Sequence, residues 1–393
     1  MKIKFTKKAV MDLYVYIVLI LTTYTSGFIY NFVYYDYNST IKWLLVGMIF
    51  FCLFFLTKAD YNKLLFFVLL EMFIGLWVIM GGGVMNNYIK AVVRITFMFI
   101  FYVFCNKNKI NVLEYLCNLM VLYAAVYLAA WLIFDVGPLA RYGHNLHVSI
   151  EIAEGQIRSW NYTEFFHLYY RWHDSRRIFG VNIVASNGPF WEPGLYQIYL
   201  NLALWYELFR RKKFRWAVIL LTVAIIVTTS TMGAFILVII WAGYLYNKQF
   251  PIAKVISVLP VIAATLFILN ELWNEKKAYA ISNVNGRGND FMDLAQAFIV
   301  HPIIGNGMGN CPGFNALLIY IAEFGSLGIV FIIFIITMIM KKKGSLIGKM
   351  VLIAWLLLSL INEPIGYHSL FLLIVFAFTQ KENLGLESDN REY

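Results

Sequence analysis

The feature that most constrains this sequence is a series of long apolar runs separated by short polar segments. Of its 393 residues, 61% are hydrophobic and 14% are charged, whereas soluble domains carry about 25% charged residues. A membrane-spanning helix needs about 20 mostly apolar residues. The apolar runs are 13–33, 41–57, 64–80, 88–105, 112–134, 190–209, 214–229, 232–247, 251–271, 315–340, 346–361 and 365–379. The sequence therefore predicts an all-α polytopic membrane protein with about twelve transmembrane helices, forming a single integral membrane domain over residues 1–393.

Two pairs of these runs are shorter than a straight span prefers. They are 214–229 with 232–247, and 346–361 with 365–379. Either pair is also compatible with a re-entrant hairpin that enters and leaves the membrane on one side. The helix count would then fall between ten and twelve, and every other loop would keep its side.

The basic residues are concentrated in alternate connections between the apolar runs. The formal net charge of +10 would by itself suit nucleic-acid binding. Most Lys and Arg residues, however, fall in the N-terminal segment, in every second connection and in the C-terminal tail. Cytoplasmic loops of membrane proteins are enriched in these two residues. The basicity therefore predicts a topology with both termini in the cytoplasm, and nucleic acid is not expected as a partner.

Neither a cleaved leader nor a disulfide framework is expected. The first run, 13–33, is long enough to span a membrane and lacks the small-residue cleavage site of a signal peptide. Three of the four cysteines lie in or beside predicted spans and only Cys311 lies clearly outside, so no pair is available for a disulfide. Metal-ligand spacing is also absent, and the sequence predicts neither a metal nor a cofactor.

The charge pattern places two large segments, 136–189 and 272–314, outside the membrane. Segment 136–189 combines His, aromatic and Arg residues, and this aromatic content argues against disorder. Within it, 147–152 and 165–172 are compatible either with short strands or with interfacial helices. Aromatic faces beside hydrogen-bonding His, Asn and Arg side chains predict a sugar-binding surface in this segment.

The boundary between the first external segment and the next apolar run is a candidate functional site. Residues 186–199 end the polar segment and open a helix, and Glu192 directly precedes Pro193. Because proline is favoured as a first helical residue, the Glu192 carboxylate is predicted at the N-terminus of a membrane helix. Trp191 flanks it at the depth where membrane interfaces hold aromatic side chains. Glu192 is thus either a helix N-cap or a functional carboxylate.

Charged residues inside the predicted spans form a second group. Glu71 lies in the middle of the third span, where an unpaired carboxylate would cost at least about 2.5 kcal/mol. Lys90 and Arg94 lie four residues apart in the outer half of the fourth span, and so on one helical face. Lys90 is near enough to the interface to extend its amine to the surface. Arg94 lies a turn deeper, which favours a cavity or an anionic partner, and Glu71 is a candidate for that partner.

The second external segment contains two glycine-rich stretches, one around Arg287 and one after His301. Residues 285–290 read Asn-Gly-Arg-Gly-Asn-Asp, and residues 301–310 read His-Pro-Ile-Ile-Gly-Asn-Gly-Met-Gly-Asn. Glycines before a helix N-terminus expose backbone N–H groups that bind anions. An anion site is therefore expected in this segment, on the side of the membrane where Arg94 also lies.

These motifs together carry a resemblance to a known family. Residues 188–196 read Gly-Pro-Phe-Trp-Glu-Pro-Gly-Leu-Tyr and look like the Gly-x-Phe-x-Glu-Pro signature of Wzy-type polymerases of O-antigen, capsule and exopolysaccharide. Further motifs follow in the order seen across the O-antigen ligase/polymerase superfamily: Thr/Ser 228–231 ahead of Gly233, 286–288, 301–307, and 315–328. The resemblance covers about 177–328, and only hydropathy agrees before that.

The resemblance implies a glycosyltransferase on the outer face of the bacterial inner membrane. Such a polymerase transfers the growing glycan from undecaprenyl pyrophosphate to an incoming lipid-linked repeat unit, without metal or cofactor. The chemistry needs cations near the leaving pyrophosphate and a carboxylate or imidazole near the acceptor hydroxyl. The implied partners are the lipid-linked oligosaccharide and membrane lipid, with a chain-length regulator and a flippase as further candidates.

Nine residues are candidates for these roles. The predicted catalytic residues are Glu192, His301 and Arg287. The predicted substrate-binding residues are Arg94, Arg177, Lys90, Trp191, Asn187 and Asn315. Arginine suits the pyrophosphate because its planar guanidinium matches phosphate oxygens, and either Glu192 or His301 is the candidate base.

A ligase of the same superfamily and a transporter or flippase of lipid-linked oligosaccharide are the alternatives. Superfamily ligases carry a His directly before the Asn of the last motif, and Phe314 stands at that position here. This departure favours polymerase over ligase, with His301 as the nearest substitute base. Transporters commonly contain internal repeats, and the two halves of this sequence are not similar. A structural or signalling membrane protein would leave the clustered Arg, Glu and His residues unexplained.

Overall fold

The computed structural model describes residues 6–28, 38–153, 156–166, 169–172, 175–178, 181–211, 215–247, 270, 281–311, 315–363 and 365–380. These residues are mostly helical, as predicted. The described part of the chain holds thirteen α-helices: α1 Lys7–Thr25, α2 Asn38–Leu53, α3 Lys58–Met80, α4 Met85–Lys107, α5 Val112–Trp131, α6 Pro193–Trp205, α7 Trp216–Val227, α8 Thr231–Asn247, α9 Ile281–Val300, α10 Ala316–Phe324, α11 Ser326–Lys341, α12 Leu346–Asn362 and α13 Ser369–Thr379. Two π-helical turns, Leu132–Val136 and Tyr206–Arg211, extend α5 and α6, and short 3-10 helices cover Pro138–Tyr142 and Ile365–Tyr367.

Four of these helices are long and apolar enough to cross a membrane. They are α1, α3, α4 and α5 with its π-helical extension. Seven further apolar helical segments have 10 to 17 residues. The chain is therefore a mostly helical membrane protein, as the hydropathy predicts. The predicted span 251–271 lies outside the described residues, apart from residue 270.

Helix α6 is the centre of the bundle. Its residues from Leu195 to Trp205 are all buried, as expected for a helix that is apolar on nearly every side. Trp355 of α12 donates its indole N–H to the Ile198 carbonyl at 2.9 Å, and Trp205 donates to the Gly348 carbonyl at 2.7 Å. Because neighbouring helices surround α6, the residues at its first turn have a well-defined position.

Segment 136–189, which is predicted to be external, contains β-structure. Strands β1 His144–Ala153, β2 Gln156–Phe165 and β3 Tyr169–Trp172 form an antiparallel sheet, and β4 Ser175–Ile178 pairs with β5 Val181–Val184. The strand alternative is therefore correct for 147–152, which lies in β1. In 165–172 it is correct for residue 165 and for 169–172, whereas 167–168 lie outside the described residues. The all-α class does not hold in this segment. Apolar and polar residues alternate along β1, and this two-residue period favours a strand. We call the end of the bundle that carries these strands the sheet end.

The predicted span 315–340 is not one continuous helix. It divides at Gly325 into α10 and α11. Gly325 has a φ of 57°, a conformation that favours glycine, and a β-carbon there would lie 2.4 Å from the Ile303 carbonyl oxygen. The Ser326 N–H donates to the same carbonyl at 3.0 Å. The apolar run did not reveal this break because the contact with Ile303, which lies outside the run, causes it.

The glycine-rich stretch 285–290 lies inside α9. The expected turn before a helix N-terminus is therefore wrong for this stretch. Backbone N–H groups beyond the first helical turn are bonded along the helix, so they are not offered to an anion. Helix α9 packs on α10, and Leu294 shares a buried apolar cluster with Ile319 and Ala322.

Candidate functional site at the sheet end

Glu192 lies at the sheet end, directly before α6. Its backbone is extended, it occupies the N-cap position, and Pro193 is the first helical residue. The predicted start of this helix is thus confirmed. The Glu192 carboxylate is partly exposed and makes no capping hydrogen bond, although an N-cap carboxylate commonly accepts one from the helix backbone. The side chain is therefore available for another role.

The residue before Glu192 is anchored from two sides. The Trp191 N–H donates to the Gly27 carbonyl, just beyond α1, at 2.9 Å. The Tyr162 hydroxyl, on β2, donates to the Trp191 carbonyl at 2.8 Å. Burial, and then the negative charge of Glu192, raise the pKa of Tyr162 above its ordinary range, so the phenol lies near the carboxylate. The sheet, the end of α1 and the start of α6 therefore converge on Glu192.

A second carboxylate, that of Glu363, lies beside the first. Glu363 is the C-cap of α12, is buried, and accepts a hydrogen bond from the Asn362 side-chain amide at 2.7 Å. A β-carbon built on Gly194 would lie 2.3 Å from Glu363 Oε1 and 3.4 Å from Glu192 Oε1. Both carboxylates therefore face the first turn of α6, where the helix dipole favours negative charge. Two neighbouring carboxyl groups are a common arrangement for acid–base chemistry on sugars.

Glu363 opens the connection between α12 and α13, which we call the 363–368 turn; Pro364 within it is outside the described residues. The Tyr367 hydroxyl donates to Glu323 Oε2 at 2.5 Å. Directly after the turn, the Leu370 N–H donates to Ser26 Oγ at 2.9 Å. The turn therefore connects the start of α6 to α10 and to the end of α1.

Glu323, the third carboxylate of this region, anchors the turn. It lies at the end of α10 and is 3% exposed. Its Oε1 accepts a hydrogen bond from the Gly309 N–H at 2.7 Å, and its Oε2 accepts from Tyr367. A buried carboxylate with both oxygens bonded holds its partners in place. Glu323 thereby joins the 301–310 segment to the 363–368 turn.

The 301–310 segment uses its backbone donors inside the protein. The N–H groups of Asn306 and Gly307 donate to the carbonyls of Ala322 and Glu323 at 2.9 and 3.0 Å. These contacts end α10 and prepare the break before α11. A backbone N–H has a single hydrogen to donate, so the expected anion site is wrong for these donors.

Arg94 approaches the 363–368 turn from α4. Tyr367 and Ile95 pack against a buried apolar cluster that includes Ala91. Ala91 lies three residues before Arg94 on α4, and Ile95 directly follows Arg94. The positive charge of Arg94 acts on His368, the last residue of the turn. The Arg94 side chain is exposed and that of His368 is partly exposed. The His368 Nδ1 atom is nevertheless buried and has no hydrogen-bond partner among the described residues.

Glu71 is not the partner of Arg94. Its buried carboxylate accepts a hydrogen bond from Thr96 Oγ1 of α4 at 2.7 Å. In the part of the chain that the structure describes, Arg94 makes no ion pair. The suggested pairing is therefore wrong, because a hydroxyl on the adjacent helix binds the carboxylate instead. Lys90 is exposed on α4, one turn before Arg94.

Three other predicted site residues have positions that define their local roles. Asn187 is fully buried, and its amide donates to the Phe190 carbonyl at 2.5 Å, so it closes the loop before Glu192. Asn315 is the N-cap of α10, and its side chain accepts the Leu318 N–H at 3.0 Å. His301 is exposed just after α9. A direct contact of Asn187 with substrate would require its loop to open.

Two predicted arginines lie on described backbone, while their side chains fall outside the described part. Arg177 lies in β4 opposite Asn182, and Arg287 lies in the second turn of α9. Trp191 is partly exposed, and its ring lies against Gly27. The substrate-contact roles of these residues stay predictions.

Glu363 and His368 were not among the residues that the sequence singled out. One signal could have found Glu363: a Glu-Pro pair stands at both 192–193 and 363–364, each time with a glycine within the next two residues. Both pairs mark a helix boundary on the side predicted to be external. The contact between them is not visible in sequence because α6 and α12 are far apart along the chain.

Comparisons of this chain with protein-family models, with curated proteins and with solved structures found no match. The function therefore has to be inferred from the geometry and chemistry of the site.

Proposed function

We propose that this chain is a glycosyltransferase that polymerises a bacterial surface polysaccharide. An acceptor hydroxyl of a lipid-linked repeat unit attacks the anomeric carbon of a glycan carried on undecaprenyl pyrophosphate. The bond from that carbon to the pyrophosphate oxygen breaks as the glycosidic bond forms, and the hydroxyl proton passes to a base. The observation that carries the proposal is the pair of carboxylates, Glu192 and Glu363, at the first turn of α6.

In this proposal Glu192 accepts the proton of the acceptor hydroxyl. Its carboxylate is partly exposed, so a sugar can reach it, and it is not consumed in capping α6. Buried Glu363 is placed to hold the acceptor sugar or Glu192 itself in position. General bases of this kind typically accelerate a reaction by about 10²–10⁴-fold. His301 is the second candidate base, and the 301–310 segment connects it to the same turn through Glu323.

Arg94 is the proposed cation for the leaving pyrophosphate. It is exposed, it lies near the 363–368 turn, and it has no ion pair among the described residues. A guanidinium forms paired hydrogen bonds with phosphate oxygens and keeps its charge at any working pH. Arg287 and Arg177 are further candidates for the same role.

The proposed topology places the sheet end outside the cytoplasmic membrane of a bacterium and both termini inside. About twelve spans are proposed, with α10 and α11 forming a single broken span. The basic residues at the opposite end support this orientation, because cytoplasmic loops are enriched in Lys and Arg. Arg210 and Arg211 end the extension of α6, and Lys341 ends α11.

The test is complementation of cells that lack the native protein, with surface polysaccharide separated on a gel. The wild-type chain should restore a full ladder. Glu192→Gln keeps the size of the side chain and removes the base, so only single repeat units should remain; Glu192→Asp should be partly active. Asp293→Asn, which changes an exposed carboxylate on α9, is the matched control and should keep the ladder. Membrane levels of every variant are measured in the same cells.

A full ladder from Glu192→Gln would show that this carboxylate is not the base. Deletion of the chain separates the competing functions. Cells that still make long polymer but leave it on the lipid carrier would identify a ligase, and cells whose lipid-linked repeats stay on the cytoplasmic side would identify a flippase.

A further inference from the structure

His368 is a histidine at the sheet end for which the proposed reaction has no role so far. It precedes α13 as the N-cap residue, and its side chain makes no capping hydrogen bond. Its Nδ1 atom is buried and lacks a hydrogen-bond partner among the described residues. A buried polar nitrogen without a partner is unfavourable, and such groups in native proteins commonly belong to functional sites.

The surroundings of His368 are positively charged. Arg94 acts electrostatically on His368 and on exposed Lys42 of α2. Lys90 lies exposed one turn from Arg94 on α4, and the start of α13 adds the positive end of a helix dipole. Three of these groups carry no ion pair in the described chain: Arg94, Lys42 and Lys90. Converging cations without a bound carboxylate indicate a site for an anion.

We propose that His368 and Arg94 together bind the pyrophosphate of an isoprenoid carrier, and that His368 takes up a proton from solvent as this anion binds. The choice of ligand rests on the proposed function, whereas the anion site rests on the geometry around His368. In this proposal His368 is thus a ligand of the leaving group, and the carboxylate pair at Gly194 is a separate part of the site.

The electrostatics of the empty site agree with this assignment. Burial, and then the positive charge of Arg94, lower the pKa of His368 to about 4, so the imidazole is neutral near pH 7. Among the described residues, the charged or titratable groups on the neighbouring elements are as follows. Arg94 and Lys90 lie on α4, and Lys42 lies beyond Arg94 on α2. Glu363 and Tyr367 lie in the same turn, and Glu323 lies behind Tyr367 on α10. A pyrophosphate brings at least two negative charges, which reverse the sign of the local field and favour the protonated imidazole.

The sign of the pH dependence follows from this change. The pKa of His368 is higher in the complex than in the empty site, so the complex binds more protons than the free protein. Linkage then requires the affinity for pyrophosphate to rise as pH falls from 7.5 towards 5.5. A variant without the imidazole should lose this part of the pH dependence and keep the part that comes from the ligand itself.

The experiment is isothermal titration calorimetry of the purified full-length protein with farnesyl pyrophosphate at pH 6, in buffers of different ionisation enthalpy. The wild-type protein should take up on the order of one proton more per ligand than His368→Asn. The variant should also bind about tenfold more weakly, since one charge-assisted hydrogen bond is lost. Lys343→Gln, at an exposed residue just beyond α11, is the control and should behave like wild type.

Equal proton uptake by wild type and His368→Asn would overturn the inference, as would the absence of farnesyl pyrophosphate binding. Inorganic pyrophosphate that binds as tightly as farnesyl pyrophosphate would overturn the assignment to a lipid carrier. Thermal unfolding checks that His368→Asn is folded, and His368→Gln replaces it if it is not. The calorimetry does not measure polymer, so equal proton uptake by wild type and His368→Asn would leave the polymerase proposal intact. Conversely, proton-linked binding of farnesyl pyrophosphate by a chain that makes no polymer would refute the polymerase proposal alone.

Discussion

At the residue scale, Gly194 determines how closely Glu363 approaches the start of α6. Alanine favours a helix by up to about 1 kcal/mol over glycine, so Gly194→Ala should not weaken α6 by itself. The added methyl group would lie 2.3 Å from Glu363 Oε1, closer than atoms can pack, so the carboxylate must move away. We expect Gly194→Ala to reduce the polysaccharide ladder strongly, with little change in thermal unfolding of the protein in detergent.

Gly47→Ala is the matched control for this prediction. Gly47 lies within α2, and nothing lies within 4 Å of a β-carbon built there. This variant should be as stable as wild type or slightly more stable, and fully active. A normal ladder from Gly194→Ala at normal membrane levels would mean that the position of the Glu363 carboxylate is unimportant for the reaction.

At the scale of elements, the π-helical turn Tyr206–Arg211 fastens α6 to its neighbours at the end opposite the sheet. Glu207 is fully buried there and pairs with Arg211. The same guanidinium contacts Glu114 of α5 at 3.1 Å and Asn118 at 2.7 Å. π-helical turns are uncommon, and this one aligns Glu207 and Arg211 so that a charged cluster links α5 to α6.

We expect Glu207→Gln to lower the stability of the protein much more than Glu114→Gln. Removing one partner of a buried ion pair costs about 3–5 kcal/mol because the other charge is left uncompensated. The Glu114 side chain is 44% exposed, and pairs of that kind contribute at most about 1 kcal/mol. Thermal unfolding of both variants in the same detergent measures the difference. Similar shifts in melting temperature would show that the cluster is not a buried ion pair in the membrane.

At the scale of the whole molecule, the proposed topology predicts which surfaces face outward. All four native cysteines are buried, so single added cysteines can be labelled selectively. A membrane-impermeant thiol reagent should label Ser159→Cys and Asn289→Cys in intact cells, and should label Lys212→Cys and Lys342→Cys only after the membrane is opened. Labelling of Lys212→Cys from outside would overturn the orientation of the entire bundle.

The sequence also predicted a large part of the site region. The start of α6 at Pro193 follows from the fixed φ of proline, and the helical bundle follows from apolar runs that must bond their own backbone in lipid. The strands of the first external segment were left open, because short alternating stretches fit a strand and an interfacial helix equally well. The break at Gly325 was missed, because an uninterrupted apolar run contains no local signal for it.

The sequence by itself determined the helical membrane class. It also determined that a carboxylate lies at the N-terminus of α6 and that basic residues lie at the opposite end of this helix. Each of these depends on interactions within one segment, or between one segment and its solvent. Only the tertiary structure decided that Glu363 faces Glu192 across Gly194, that Thr96 rather than Arg94 binds Glu71, and that His368 lies near Arg94. Those relations depend on how helices far apart in the chain pack together, and packing geometry is not encoded in any single stretch of residues.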